Sequence, residues 1–317
     1  MNAHTRQVAA FLSIGLFICL WVAGVRSQGS ATLRRITNTA ERGLNLNPTL
    51  SGDGRRIAFE SSEDVAGTGG SANFRALLAD LTDESVAFRQ VAASRAPAPT
   101  MSQDGSRLAF ASRENLTGEN ADGNSEIFLY TGAQLQQLTR TSPRDEAERI
   151  NDGNFQPSIS DDGQFIAFAS NRDLTGANPD ANREIFIYDS FARAFTQISD
   201  TQGIAGASDA KISGDATRVA FISDRTDGAA ANARVLMLYE RATNSTRLIE
   251  SDADNLALTY GRAISDDGER VVYAARTAIN TTQVFLFDGR NNIRRQITAL
   301  GSRAADVPLH PSISGEG

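Results

Sequence analysis

Apolar and polar residues alternate along the chain in short runs of four to six, separated by clusters of Ser, Asp, Gly and Asn, a pattern that predicts strands and tight turns rather than helices. One pattern recurs in register. Pro48-Thr-Leu-Ser51-Gly-Asp53-Gly54-Arg-Arg-Ile57-Ala58-Phe59-Glu-Ser61 returns as Pro99-Thr-Met-Ser102-Gln-Asp104-Gly105-Ser-Arg-Leu108-Ala109-Phe110-Ala-Ser112. It returns again as Pro157-Ser-Ile-Ser160-Asp-Asp162-Gly163-Gln-Phe-Ile166-Ala167-Phe168-Ala-Ser170. Two further copies keep the spacing, Ile212-Ser213-Gly-Asp215-Ala216-Thr-Arg-Val219-Ala220-Phe221 and Ile264-Ser265-Asp-Asp267-Gly268-Glu-Arg-Val271-Val272-Tyr273, and a sixth begins at Pro311-Ser-Ile-Ser314.

Each copy reads as a hairpin. The pairs Asp53 and Gly54, Asp104 and Gly105, Asp162 and Gly163, and Asp267 and Gly268, with Asp215 in the fourth copy, are turn formers. Aspartate bonds its own backbone and glycine tolerates positive φ. A third strand is predicted at 76–80, 127–130, 185–189, 235–239 and 284–288, and a fourth at 88–92, 134–139, 195–199, 246–250 and 293–298. Four short strands per repeat, apolar on nearly every position, predict an all-β propeller of four-stranded antiparallel blades whose two faces are both covered. The expected blades lie near 48–92, 99–139, 157–199, 210–250 and 262–298. A partial sixth, 309–317, would be joined by a clasp strand at 33–37, because Leu33-Arg-Arg-Ile-Thr37 matches the fourth-strand end Arg295-Gln-Ile-Thr298. A motif that stops just after its turn leads us to expect a six-bladed parent from which two strands are missing.

The Pro-Ser-Ile-Ser-x-Asp-Gly-x-x-Ile-Ala-Phe-x-Ser motif, over about residues 33–317, resembles the TolB-like, WD-repeat-like family of bacterial β-propeller repeats. With long polar loops such as Leu174–Glu184 and no TolB-type amino-terminal domain, the chain resembles the secreted branch rather than TolB itself. The resemblance implies an exported binding or scaffold protein.

The N-terminal run changes the picture of where the propeller works. Residues 7–25 are uncharged and largely apolar, between Arg6 and Arg26, so 1–27 is expected to be a cleaved signal peptide or an uncleaved membrane anchor, leaving 28–317 in the periplasm or secreted. Cys19, the only cysteine, lies inside that run, so stability is expected from packing and not from disulfides. The formal charge of −7 becomes −9 when Arg6 and Arg26 are removed, which argues against nucleic acid as a partner. Membrane contact is expected only through an uncleaved N-terminus.

Chemistry is constrained by what the chain contains. The two histidines are His4, in the leader, and His310, near the end, so histidine-ligated metals and Ser-His-Asp catalysis are disfavoured. No Gly-x-Ser-x-Gly elbow is present, and the sole tryptophan, Trp21, precedes the propeller. The expectation is a non-enzymatic protein without cofactor that holds a protein or small-ligand partner. The alternatives are the propeller part of a prolyl-oligopeptidase-like hydrolase and a glycosidase working with carboxylates alone.

In a four-stranded meander the second-to-third loops share a rim with the connections between blades. These segments are long and polar here, so that rim is the expected binding face. The candidate binding residues are Arg113, Glu114, Asn115, Arg172, Asp173, Asp224 and Arg225. Two loops place oxygens at alternate positions, Asp122, Asn124 and Glu126 in one and Asp180, Asn182 and Glu184 in the other, a spacing that calcium accepts although the Asp-x-Asp-x-Asp-Gly frame is incomplete.

Overall fold

The computed structural model describes residues 33–70, 73–82, 85–144, 152–224, 234–251, 254–258, 261–276, 281–301 and 310–317. The chain divides into a unit of residues 1–36 and a unit of residues 37–317, and the sheets lie in the second. Residues 1–27, expected from the sequence to be a signal peptide or anchor, lie outside the described residues.

The Ser-x-Asp-Gly hairpin is built the same way five times. Its serine hydroxyl donates to the aspartate at 2.6 Å (Ser51 to Asp53), 2.8 Å (Ser102 to Asp104), 2.5 Å (Ser160 to Asp162), 2.7 Å (Ser213 to Asp215) and 2.6 Å (Ser265 to Asp267). The aspartate accepts the N–H two residues on, and the serine oxygen accepts the N–H five residues on, as in Asp104 with Ser106 and Ser102 with Arg107. Local bonds thus close the turn before any distant residue takes part.

Every hairpin opens a four-stranded antiparallel sheet whose strands pair in chain order. The sheets are β1 (Asn45–Leu50), β2 (Arg56–Ser61), β3 (Arg75–Leu81) and β4 (Val86–Ala92); β5 (Thr100–Met101), β6 (Leu108–Ser112), β7 (Glu126–Tyr130) and β8 (Leu135–Gln137); β9 (Asn154–Ile159), β10 (Phe165–Ser170), β11 (Glu184–Asp189) and β12 (Ala194–Gln197); β13 (Ala207–Ile212), β14 (Arg218–Asp224), β15 (Arg234–Glu240) and β16 (Ser245–Glu250); and β17 (Asp254–Ala257), β18 (Arg270–Arg276), β19 (Thr282–Asp288) and β20 (Ile293–Gln296). The described residues contain no helix, and none of them forms an apolar helix long enough to cross a membrane. The fold is the expected all-β propeller with five complete blades.

Three details differ from the sequence reading. The fifth sheet takes its first strand from Asp254–Ala257, and the motif residue Ile264 makes only an isolated bridge to Val271. Gly261 stands between the two at φ 103°, at the position where the other four repeats also carry a left-handed residue. Residues 33–40, expected to supply a clasp strand at 33–37, form no strand. Residues 310–317 form a turn without a strand.

Packing between sheets is directional. Ala58, Ala76 and Leu78 of the first sheet meet Phe110, Phe128 and Tyr130 of the second, while Ala109, Ile127 and Leu129 on the second sheet's other face meet Phe168, Phe186 and Tyr188 of the third. The third offers Ala167, Ile185 and Ile187 to Phe221 and Tyr239, and the fourth offers Ala220, Leu236 and Leu238 to Tyr273, Phe285 and Phe287. Small and branched side chains of one blade therefore fill the spaces between the aromatic rings of the next. The rings pair within a sheet, Phe110 with Phe128 at 5.8 Å, Phe168 with Phe186 at 6.1 Å and Tyr273 with Phe285 at 5.5 Å.

The hairpin turns are also linked from blade to blade. Gln103 N–H donates to the Asp161 carbonyl at 2.9 Å, Asp161 N–H to Gly214 at 2.9 Å, Asp215 N–H to Asp266 at 2.8 Å and Asp266 N–H to Gly315 at 2.7 Å. Arginine side chains reinforce this rim: Arg56 reaches the Asp104 carbonyl at 3.0 Å, Arg107 reaches Gly163 at 3.1 Å and Arg218 reaches Asp267 at 2.6 Å. The stems lie so close to the next turn that a Cβ on Gly163 would stand 2.4 Å from Arg107 Cδ. Where the third sheet carries Phe165 instead of arginine, the next turn carries Ala216 instead of glycine, and Phe165 lies beneath Arg241 at 3.9 Å.

Candidate functional site

The rim opposite the hairpin turns is formed by the second-to-third loops and the connections between blades. In the second and third sheets one amide relay organises it. Asn115 accepts Asn120 N–H at 2.9 Å, Asn120 donates to the Asn124 carbonyl at 3.0 Å, and Asn124 donates to the Thr141 carbonyl and hydroxyl, both at 2.9 Å. The third sheet repeats it with Asp173 accepting Asn178 N–H at 3.2 Å, Asn178 donating to the Asn182 carbonyl at 3.0 Å, and Asn182 donating to Thr201. Each loop is thereby tied to the following inter-blade connection.

The same relay accounts for most of the oxygen-rich residues singled out as calcium candidates. Glu126 is buried and accepts from the Thr139 hydroxyl, from Asn154 at 2.9 Å, and from Thr141 N–H and hydroxyl at 2.6 and 2.8 Å. Glu184 accepts from Ser199, from Thr201 N–H at 2.6 Å and from the Thr201 hydroxyl. Burial raises both carboxyls above the usual range, against the pull of those donors. Asp180 is exposed and accepts Gly203 N–H at 2.9 Å, and Asp122 lies half-buried in its loop. Among the described residues, no three His, Cys, Asp or Glu side chains gather as metal ligands.

The binding residues read from the sequence separate into groups. Arg113, Glu114 and Asn115 are exposed at the start of the second-sheet loop. Asp173 is also exposed and serves its own loop, accepting N–H groups from Gly176 at 2.7 Å and Asn178; burial works to raise its carboxyl, but these backbone donors outweigh it and hold it below the usual range. Arg172 turns inward to buried Asp152 at 3.4 Å, which also holds Arg144 at 2.7 Å and Asn171 at 3.0 Å. Burial works to raise the Asp152 carboxyl, and the arginines hold it low nonetheless. Arg225 lies outside the described residues.

Of the six that are described, Asp224 reaches a cleft. A polar cavity of about 680 Å³ at the boundary of the third and fourth sheets is lined by Asp180, Asn182, Arg183, Ile204, Asp224 and Arg234 among others. Its walls are fixed: Asp224 accepts Gly206 N–H at 3.0 Å, and Arg234 donates to the Ser208 hydroxyl at 2.8 Å. Beside it, sharing Asp224, lies a second cavity of about 620 Å³ with an apolar floor of Ile198, Phe221, Val235, Met237, Tyr239 and Leu248. Sequence reasoning placed the rim but missed this boundary, because the cleft arises where two sheets meet and its arginines look like ordinary surface charges in the sequence. Ile204, fully exposed between Gly203 and Ala205, was the available signal.

No family model matches the chain, and no curated protein matches it. Solved structures do. TolB from Acinetobacter baumannii is 19% identical with a TM-score of 0.53, over 81% of this chain and 54% of that one. A putative TolB from Agrobacterium tumefaciens is 19% identical with a TM-score of 0.52, over 80% of each chain. A puromycin-hydrolysing peptidase from Mycobacterium tuberculosis is 14% identical with a TM-score of 0.52, over 80% of this chain and 37% of that one. This chain therefore spans about half of the first protein and just over a third of the last. Likeness at such identities establishes the fold, a multi-bladed propeller of the kind found in TolB.

Proposed function

We propose that this chain is an exported, non-enzymatic propeller that holds a protein or small-ligand partner on its long-loop rim, at the boundary of the third and fourth sheets. The observation that carries the reading is the pair of adjoining cavities there, one polar with Arg183 and Arg234, one apolar, on walls already fixed by hydrogen bonds. Rigid walls with a few polar groups beside an apolar floor are what specific recognition requires. Export is supported by the apolar run at 7–25 between two arginines.

The test is selective loss of binding. Arg183→Glu and Ile204→Asp on the cleft are expected to weaken a partner recovered from the cell envelope at least tenfold, while Arg193→Glu, on the opposite rim, leaves its affinity unchanged. Equal loss in all three, or retention in all three, excludes the cleft. A fusion of residues 1–30 to alkaline phosphatase, which matures only outside the cytoplasm, tests export separately; an inactive fusion rejects it.

A hydrolase reading has one observation in its favour, the likeness of the propeller to that of the puromycin-hydrolysing peptidase. Turnover of aminoacyl p-nitroanilides by the purified chain would support it, and their persistence over a day supports the binding protein.

A further inference from the structure

Away from the long-loop rim, the first strands of four sheets and the Gly261–Ile264 segment of the fifth converge on one cavity of about 70 Å³. The same motif position supplies a lining residue from each: Thr49, Thr100, Ser158, Lys211 and Ala263. Four of the five are small, and the fourth sheet alone puts a cation there. Lys211, the only lysine of the chain, is buried, and among the described residues its ammonium has neither a hydrogen bond nor an ion pair. The Ser158 oxygen accepts Ile212 N–H at 3.1 Å, which leaves its own proton to give, and among the described residues the Thr49 hydroxyl has no hydrogen bond. The Thr100 hydroxyl donates to the Pro157 carbonyl at 3.3 Å.

A buried ammonium is tolerated when a counter-charge reaches it. The charged groups around Lys211 are committed elsewhere. Asp209, on its own strand, faces Arg234 at 3.9 Å; Arg262, in the same lining, is held by Asp161 at 2.8 Å and by Asp266. β1 and β5 bring no charge, only Thr49, Leu50, Thr100 and Met101.

We propose that this central cavity binds one small monovalent anion, a halide or the carboxylate of a small acid, held by the Lys211 ammonium and the hydroxyls of Thr49 and Ser158. The volume suits an ion of that size and excludes a nucleotide or a sugar. Burial drives the Lys211 amine down to about 8, with Asp209 pulling weakly the other way, so the empty site loses its charge just above neutrality.

The single lysine makes the test direct. In the full chain labelled with lysine carrying ¹³C at Cε, one signal reports Lys211 alone, free of Asp161, Asp209, Arg262 and Asp266. At constant ionic strength in a bulky sulfonate, bromide or acetate at ten times its dissociation constant is expected to raise the titration midpoint by about one pH unit, because the anion binds the charged amine only. The bromide and acetate arms separate a halide site from a carboxylate site. A midpoint identical in sulfonate, bromide and acetate overturns the proposal. Lys211→Met is expected to abolish the anion-dependent rise in Tm at pH 6.5; an equal rise in wild type and variant also overturns it. Should that variant fail to fold, the labelled wild type decides alone.

Discussion

Asp104 does its work with one oxygen, which accepts the Ser102 hydroxyl and the Ser106 N–H. Asp104→Ala leaves the Ser106 N–H without this acceptor and the Ser102 hydroxyl with only its 3.4 Å bond to the Arg107 carbonyl, and is expected to cost about 1–2 kcal/mol in urea unfolding. The Ser106 N–H holds this carboxyl below its usual value of 3.8. Its contribution is therefore present above about pH 4 and lost as pH falls through the lowered folded value. Glu126 has the opposite sign. Burial raises it above 4.5, so the buried group favours folding below that pH and loses its contribution as pH rises through the folded value. Gln283 occupies the equivalent place in the fifth sheet, accepting the Thr298 hydroxyl at 2.7 Å and Leu300 N–H at 3.0 Å. Glu126→Gln is accordingly expected to gain on wild type as pH is raised from 4 to 7, measured as the difference between two urea midpoints. A difference that shrinks over that range contradicts the assignment. The turn aspartates were legible because their role is local, whereas the buried glutamates were not: their donors come from residues 13 to 28 positions away and only folding collects them.

Among elements, the hairpin turn and the first strand differ in how much of them the sequence announces. Gly163 needs its φ of 70° and also the absence of a Cβ, since Arg107 of the preceding sheet lies across it. Gly163→Ala is expected to cost about 2–3 kcal/mol, more than the ~1 kcal/mol of a left-handed alanine alone, and Arg107→Ala in the same chain should return part of the loss. Additive effects in that double-mutant cycle would separate turn from latch. The segments leading into the hairpins carry a left-handed residue that no residue type marks, Asn47, Ala98, Gln156, Asp209 and Gly261 in the same place, and in the first, third and fourth sheets it forms a bulge within the first strand. Five different residues at one strained position give a reader of sequence nothing to align. That is why the fifth sheet was expected to begin at its motif, whereas its first strand lies before Gly261. The third strands, by contrast, were placed within a residue or two, because each carries an unbroken apolar run, which in the second and third sheets is buried throughout.

At the scale of the molecule, the blade order was readable from the repeat alone, while the cleft between the third and fourth sheets depends on how neighbouring blades splay. Phe168 stands in the middle of the stack, wholly buried, with ring partners at Phe186 and Phe195 and the second sheet's Ile127 and Leu129 against it. Phe168→Ala is expected to cost about 3–5 kcal/mol. The loss should register as a single lowered transition if the sheets unfold together, and as two transitions if the stack divides there. Each sheet shows its successor an alkyl surface and its predecessor an aromatic one, so the series has a direction, like tiles with tongue on one edge and groove on the other. A repeat copied and inserted in the same sense would find a fitting neighbour on both sides; one threaded in reverse would find none. Lengthening by duplication is thus a short evolutionary step for this architecture, and it leaves the rim loops free to diverge one blade at a time.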